Sequence, residues 1–168
     1  MNNNNLEIER KFLIQYPDMA MLERCAEGTE ITQTYLLSEA KGETARVRKR
    51  GADGVYTYTH TVKTRISDMR KVEMEREVSE EEYAALLKSA DPARRTIFKQ
   101  RWCLYYEGQM FEIDVFPFWS DRAIMEIELI DESQTVIFPP EIEIIKEVTH
   151  DKRYTNASLA KHIPEDDV

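Results

Sequence analysis

At 168 residues and a formal net charge of −9, the chain is long enough to bury one ordinary core without disulfides or a structural metal, and its charge argues against non-specific nucleic-acid binding, which needs a positive contact surface. The two cysteines, Cys25 and Cys103, lack any short pair spacing, which argues against thiolate metal binding and for reduced thiols. Asn2 to Asn5 offer neither the basic start nor the apolar run of a targeting segment, and no window is apolar enough to span a bilayer, so a soluble, cytoplasmic protein forming one domain over residues 1–168 is expected, with no membrane partner.

The first strand signal covers residues 6–14, with Glu7, Glu9 and Lys11 on one face and Leu6, Ile8, Phe12 and Ile14 on the other. Pro17 and Asp18 then open a helix through DMAMLERCAE that Gly28 closes. Strand signals follow at 30–37, 44–50 and 55–63, the last two joined by a turn at Gly51-Ala52-Asp53-Gly54, and Lys63 shares a face with Thr57, Thr59 and Thr61. After a strand at 71–78, Ser79-Glu80-Glu81-Glu82 is a capping box for a helix over 83–90 that Pro92 ends. A long strand at 94–106 turns at Glu107-Gly108-Gln109 into a strand at 110–116, and 123–130 is the next. Residues 131–138 read as a short helix before the Pro139-Pro140 break, residues 155–162 as a small terminal helix, and Glu165, Asp166 and Asp167 as a frayed tail.

Six of these strands carry charge at every second position: Glu7-Ile-Glu9-Arg-Lys11, Arg46-Val-Arg48, Glu73-Met-Glu75, Lys99-Gln-Arg101, Glu112-Ile-Asp114 and Glu126-Ile-Glu128. Side chains in a strand alternate between faces, so each set lies on one face and Ile8, Val47, Met74, Ile113 and Ile127 on the other. About eight antiparallel strands can close into a barrel with room for side chains or one small ligand. Charges facing outward would leave a barrel or sandwich with an apolar interior. Charges facing inward would make a polar tunnel with its apolar exterior covered by helices, at several kcal/mol per unpaired ion. The pattern leaves both open. His60 lies opposite Lys63 and His150 and His162 lack metal-like spacing, so no histidine site is expected; Trp102, Phe116, Phe118 and Trp119 read as packing residues.

The segment Leu6-Glu7-Ile8-Glu9-Arg10-Lys11-Phe12 carries an ExExK signature, and the later pairs follow in the order of one family along nearly the whole chain. The sequence resembles the CYTH superfamily, the triphosphate tunnel metalloenzymes, and the stretch from Glu147 to Tyr154 is similar to the end of its small bacterial members. The resemblance implies an α+β fold with a closed eight-stranded antiparallel β-barrel, a charged interior and flanking helices. It implies inward charges and hydrolysis of a terminal phosphoanhydride with Mg2+ or Mn2+.

By the same resemblance Glu7, Glu9, Glu126 and Glu128 are candidate metal ligands, and Arg46, Arg48, Lys99 and Arg101 should grip phosphate oxygens. Lys11 and Lys63 would supply point charges, and Lys152 would close one mouth of the tunnel. Glu73, Glu75 and Asp114 are candidates for handling the attacking water or a second metal, with plain ion pairing as their alternative. The expected substrate is inorganic tripolyphosphate, cleaved to pyrophosphate and phosphate. Thiamine triphosphate, the 5′-triphosphate end of an RNA, cyclisation of ATP and non-catalytic polyphosphate binding are the alternatives; oligomeric state is left open.

Overall fold

Strand pairing organises almost everything in the computed structural model, which describes residues 6–38 and 40–168; the Asn2 to Asn5 run lies outside them. Among the described residues the strands are β1 (Leu6–Gln15), β2 (Ala26–Leu36), β3 (Glu43–Ala52), β4 (Val55–Arg65), β5 (Arg70–Val78), β6 (Ile97–Tyr106), β7 (Gln109–Val115), β8 (Arg122–Glu128) and β9 (Ile144–Glu147). The order β5-β4-β3-β2-β6-β7-β8-β1 closes on itself because residues 6–8 of β1 pair with β5. This is a closed eight-stranded antiparallel barrel. The short β9 lies outside it, paired with β1 at Phe12, Leu13 and Ile14.

The register decides which way the charges face. Lys11 sits opposite Glu126, Glu9 opposite Glu128, Lys63 opposite Glu73 and Arg101 opposite Asp114. Directly opposed residues in an antiparallel ladder share a face, so the charged sets form one continuous surface, and closure makes it the interior.

The apolar sets therefore point outward and need cover. Ile8, Phe12, Ile14, Ile113, Met125 and Ile127 are buried beneath helix α1 (Met19–Cys25) and the segment carrying Val136, Phe138 and Ile142; Phe138 meets Phe12 edge-on at 5.0 Å. Val47 and Ala45 are covered by Tyr83 of helix α2 (Glu80–Leu86). A third cluster lies instead on the inward face, past the charged groups: Leu13, Ile97 and Ile124 stand two residues from Lys11, Lys99 and Glu126 on the same strand faces, and with Phe116 and Trp119 they pack against Tyr154 and Leu159 of the four-residue helix α3 (Asn156–Leu159). Trp119 and Phe118 stand edge to face within it at 5.0 Å, as packing aromatics should.

Several expectations need correction. Asp18 caps α1 by accepting from Ala20 and Met21, but the helix ends at Cys25 and Gly28 is a residue of β2. A Cβ at position 28 would lie 2.8 Å from the Trp102 ring, so the glycine admits that indole rather than ending a helix. Ser79 caps α2 through Glu82 as expected, yet the helix starts at Glu80 and tightens into a 3₁₀ turn over Leu87–Ser89. Residues 131–138 are not helical. Asp131 accepts from the Ser133 backbone at 2.8 Å and Gln134 from Ile130 at 2.7 Å; polar side chains capture the amides a helix would use, and the β-branched run before Pro139 continues extended. The acidic tail is tied down: Asp166 accepts from the Tyr154 hydroxyl at 2.6 Å, from Arg153 and from Lys146.

Candidate active site in the barrel

The barrel encloses a cavity of about 390 Å³. Eight basic side chains (Lys11, Arg46, Arg48, Lys63, Arg65, Lys71, Lys99 and Arg101) and six glutamates (Glu7, Glu9, Glu73, Glu75, Glu112 and Glu126) line it, with Tyr35 and the start of α3. The excess of cations inverts, locally, the sign of the whole chain, and a low-dielectric wall of this kind attracts anions.

The deepest groups are locked together. Lys99, whose side chain is fully buried, donates to Asp114 at 2.8 Å and to Asn156 at 3.0 Å, while Arg101 forks onto the same Asp114 at 2.8 and 2.9 Å. Although burial raises its pKa, Arg101 and Lys99 hold the Asp114 carboxyl well below the usual range. Burial pushes the Lys99 ammonium down to about 7; Asp114 pulls the other way and Arg101 and Arg48 add to the push. Asp114 is sealed behind the cations it serves and does not line the cavity. Lys11 reaches Glu126 at 3.3 Å and the Tyr154 carbonyl at the same distance, and Lys11, Arg101 and Lys99 keep Glu126 ionised against its burial.

Carboxylates gather elsewhere on the wall. Glu7 and Glu73 share Lys63 at 3.7 Å each, and Arg46 reaches Glu73 at 3.3 Å. Burial and a hydrogen bond with Glu73 raise Glu7 to about 8 despite Lys63, so the two acids hold one proton between them near neutral pH. Glu9 accepts from Lys71 at 2.6 Å. Glu75 accepts from Thr61 at 2.8 Å and, among the described residues, has no cation within ion-pair distance. Glu128 is exposed at the strand end beside Glu9; burial, then Glu112, Glu9 and Glu73, raise its pKa. Lys152 is exposed in a 3₁₀ turn (Lys152–Tyr154) and borders a small side pocket of about 20 Å³ that shares Glu9, Lys11 and Lys71 with the tunnel. Thus all candidates except Asp114, Glu128 and Lys152 line the one cavity.

Sequence reasoning missed Lys71, Arg65, Tyr35 and Gln33. Lys71 fell at the edge of a strand signal and Arg65 just beyond one, and the other two are neutral, invisible to a search for alternating charge. Among the described residues no three carboxylate, imidazole or thiolate side chains converge as a ready-made metal cage.

Residues 5–153 match the CYTH domain. The chain belongs to the CYTH family. Among CYTH relatives, an inorganic triphosphatase of Nitrosomonas europaea is 30% identical, over 94% of this chain and 99% of its own. An inorganic triphosphatase of Acetivibrio thermocellus is 31% identical, over 93% and 94%. A crystal structure of an inorganic triphosphatase superposes with a TM-score of 0.60 at 31% identity, covering 94% of this chain and 96% of that one.

Proposed function

We propose that the protein is a triphosphatase, most specifically one that hydrolyses inorganic tripolyphosphate to pyrophosphate and phosphate. The observation that carries this reading is the tunnel wall, where eight cations and six glutamates face one another across a cavity sized for a small ligand. Binding a polyanion requires the cations alone; the retained carboxylates point to chemistry. The near full-length identity to relatives named as inorganic triphosphatases supports the substrate.

In this reading Arg46, Arg48, Lys99 and Arg101 hold phosphate oxygens, with Lys11 and Lys63 as point charges. The buried Nε of Arg46 has no hydrogen-bond partner among the described residues, a donor that a phosphate oxygen would satisfy. Glu7, Glu9 and Glu126, with Glu128 at the strand end, are the hard oxygen donors that suit a divalent cation; Lys63, Lys71 and Lys11 stand against the first three. Mg2+ or Mn2+ held by these carboxylates would supply positive charge against the charge that develops in phosphoryl transfer. Of the three acids considered for the attacking water, Glu75 has the free acceptor: Glu73 is clamped by Arg46 and Lys63, and Asp114 acts as the counter-charge that positions Lys99 and Arg101.

Phosphate release from tripolyphosphate, thiamine triphosphate, ATP and an RNA 5′-triphosphate, each with Mg2+, Mn2+ or EDTA, tests the proposal. Tripolyphosphate should be cleaved fastest, and only with metal. Equal release in EDTA and Mg2+ would remove the metal from the reading.

A further inference from the structure

Seven of the eight basic groups along the tunnel stand against a carboxylate: Lys11 at Glu126, Arg46 and Lys63 at Glu73, Arg65 at Asp68, Lys71 at Glu9, and Lys99 and Arg101 at Asp114. Among the described residues Arg48 is the exception, with no carboxylate oxygen within 4.0 Å. It is nonetheless held rigidly. Its Nε and Nη2 donate at 3.0 and 2.6 Å to Oε1 of Gln33, directly across the β2–β3 ladder, and the Gln33 side chain is completely buried. The amide Nε2 donates in turn to the Tyr35 hydroxyl at 2.6 Å.

This chain of bonds has one possible sense. A guanidinium can only donate, so the amide oxygen must face Arg48 and the amide nitrogen must face Tyr35. The Tyr35 oxygen is then occupied as an acceptor, which leaves its proton to turn toward the cavity that the residue lines. A glutamate at position 33 would fit the same space and make stronger charge-assisted bonds, but it would cancel the charge on Arg48. The neutral amide fixes the fork and leaves the charge whole.

We infer that Gln33 is a positioning residue for anion binding: it orients Arg48 and Tyr35 toward the tunnel without neutralising the guanidinium. Leaving an arginine buried and unpaired destabilises the empty protein. Burial, with Arg46 and Arg101 nearby, accordingly lowers Arg48 to about 9. An arriving phosphate group supplies the missing countercharge, so binding recovers what the empty state lacks. The inference rests on the tunnel being a phosphoanion site, and its test separates the two.

Calorimetric titration of tripolyphosphate with Ca2+ as a cation that does not support turnover, run on R48A, Q33E, Q33M and the R48A/Q33E double variant, decides the matter. R48A should weaken binding at least tenfold. Q33E keeps the two bonds from Arg48 and reverses the third, the Tyr35 hydroxyl now donating to the carboxylate; it should melt no lower than the parent, yet bind at least tenfold more weakly, with no further loss when added to R48A. A residue with a purely structural role predicts the opposite, since Q33E strengthens the local contacts. Binding by Q33E within twofold of the parent, or a Q33E loss that persists in the R48A background, overturns the role of Gln33 while leaving the anion site in place. Unchanged binding by R48A overturns the phosphate role of Arg48 and that of Gln33 with it. If Q33E does not yield folded protein, Q33M, which keeps bulk but has no acceptor, carries the test: at least fivefold weaker binding supports the inference and binding within twofold of the parent overturns it.

Discussion

The carboxylate of Asp114 is the counter-charge for two buried cations, and its value is clearest when it is removed. D114N keeps the shape but leaves Lys99 and Arg101 without that charge, and stripping one partner from a buried ion pair costs about 3–5 kcal/mol. Urea unfolding at pH 7 should show a loss of that order. Because the folded pKa is depressed below the ordinary 3.8, the carboxylate's contribution is present above that value and lost as pH falls through the folded pKa, so the gap between D114N and parent should narrow in acid. Glu7 has the opposite sign. In the folded, metal-free protein it keeps its proton up to about 8, whereas the unfolded chain releases it near 4.5. Its contribution is therefore complete below about 4.5 and lost as pH rises through about 8. E7Q mimics the protonated form at every pH, so in EDTA its melting temperature should exceed the parent's by most at pH 9 and by little at pH 4. A gain independent of pH would contradict the burial of Glu7 as its cause.

At the level of elements, strands with alternating charge were the legible part of the sequence, because a period of two marks both a strand and the face it presents. The two hairpins were equally readable: Asp53-Gly54 and Glu107-Gly108 adopt positive φ at both turn positions, the geometry that right-twisted strands require. What escaped depended on neighbours distant in sequence. Gly28 looks like a helix stop, yet its meaning lies in Trp102 on the adjacent strand. G28A should press a methyl group into that ring and destabilise the protein by about 1–3 kcal/mol, with a shift in tryptophan emission; unfolding and fluorescence together check it, and unchanged values in both would mean the indole yields freely. β9, four residues with two charges, has no pattern of its own and forms because β1 offers an edge. Asp166 resembled a loose acidic tail because its three partners, Lys146, Arg153 and Tyr154, gather only in the fold. In the tunnel, the charged wall was legible and the neutral Gln33 and Tyr35 were not, since a buried amide carries no periodic signal.

For the whole molecule, an interior of ionised groups means that the empty protein is held below its best stability. A ligand that binds only the folded state adds RT ln(1 + [L]/Kd), about 2.7 kcal/mol at a hundredfold excess over Kd, enough to move a melting midpoint by several degrees at this size. Tripolyphosphate with Ca2+ should raise the midpoint by that much and by more than either component alone, as a thermal scan at matched ionic strength will show. No helix among the described residues is long and apolar enough to cross a membrane. The cavity also has a mechanical consequence. Compression unfolds proteins mainly by eliminating empty space, and a dry void of about 390 Å³ would by itself exceed the usual unfolding volume change of about 20–100 mL/mol. A wall of lysine, arginine and glutamate keeps such a space wet. Under hydrostatic pressure the protein should therefore behave as though it were solid, unfolding with an ordinary volume change despite the cavity inside it.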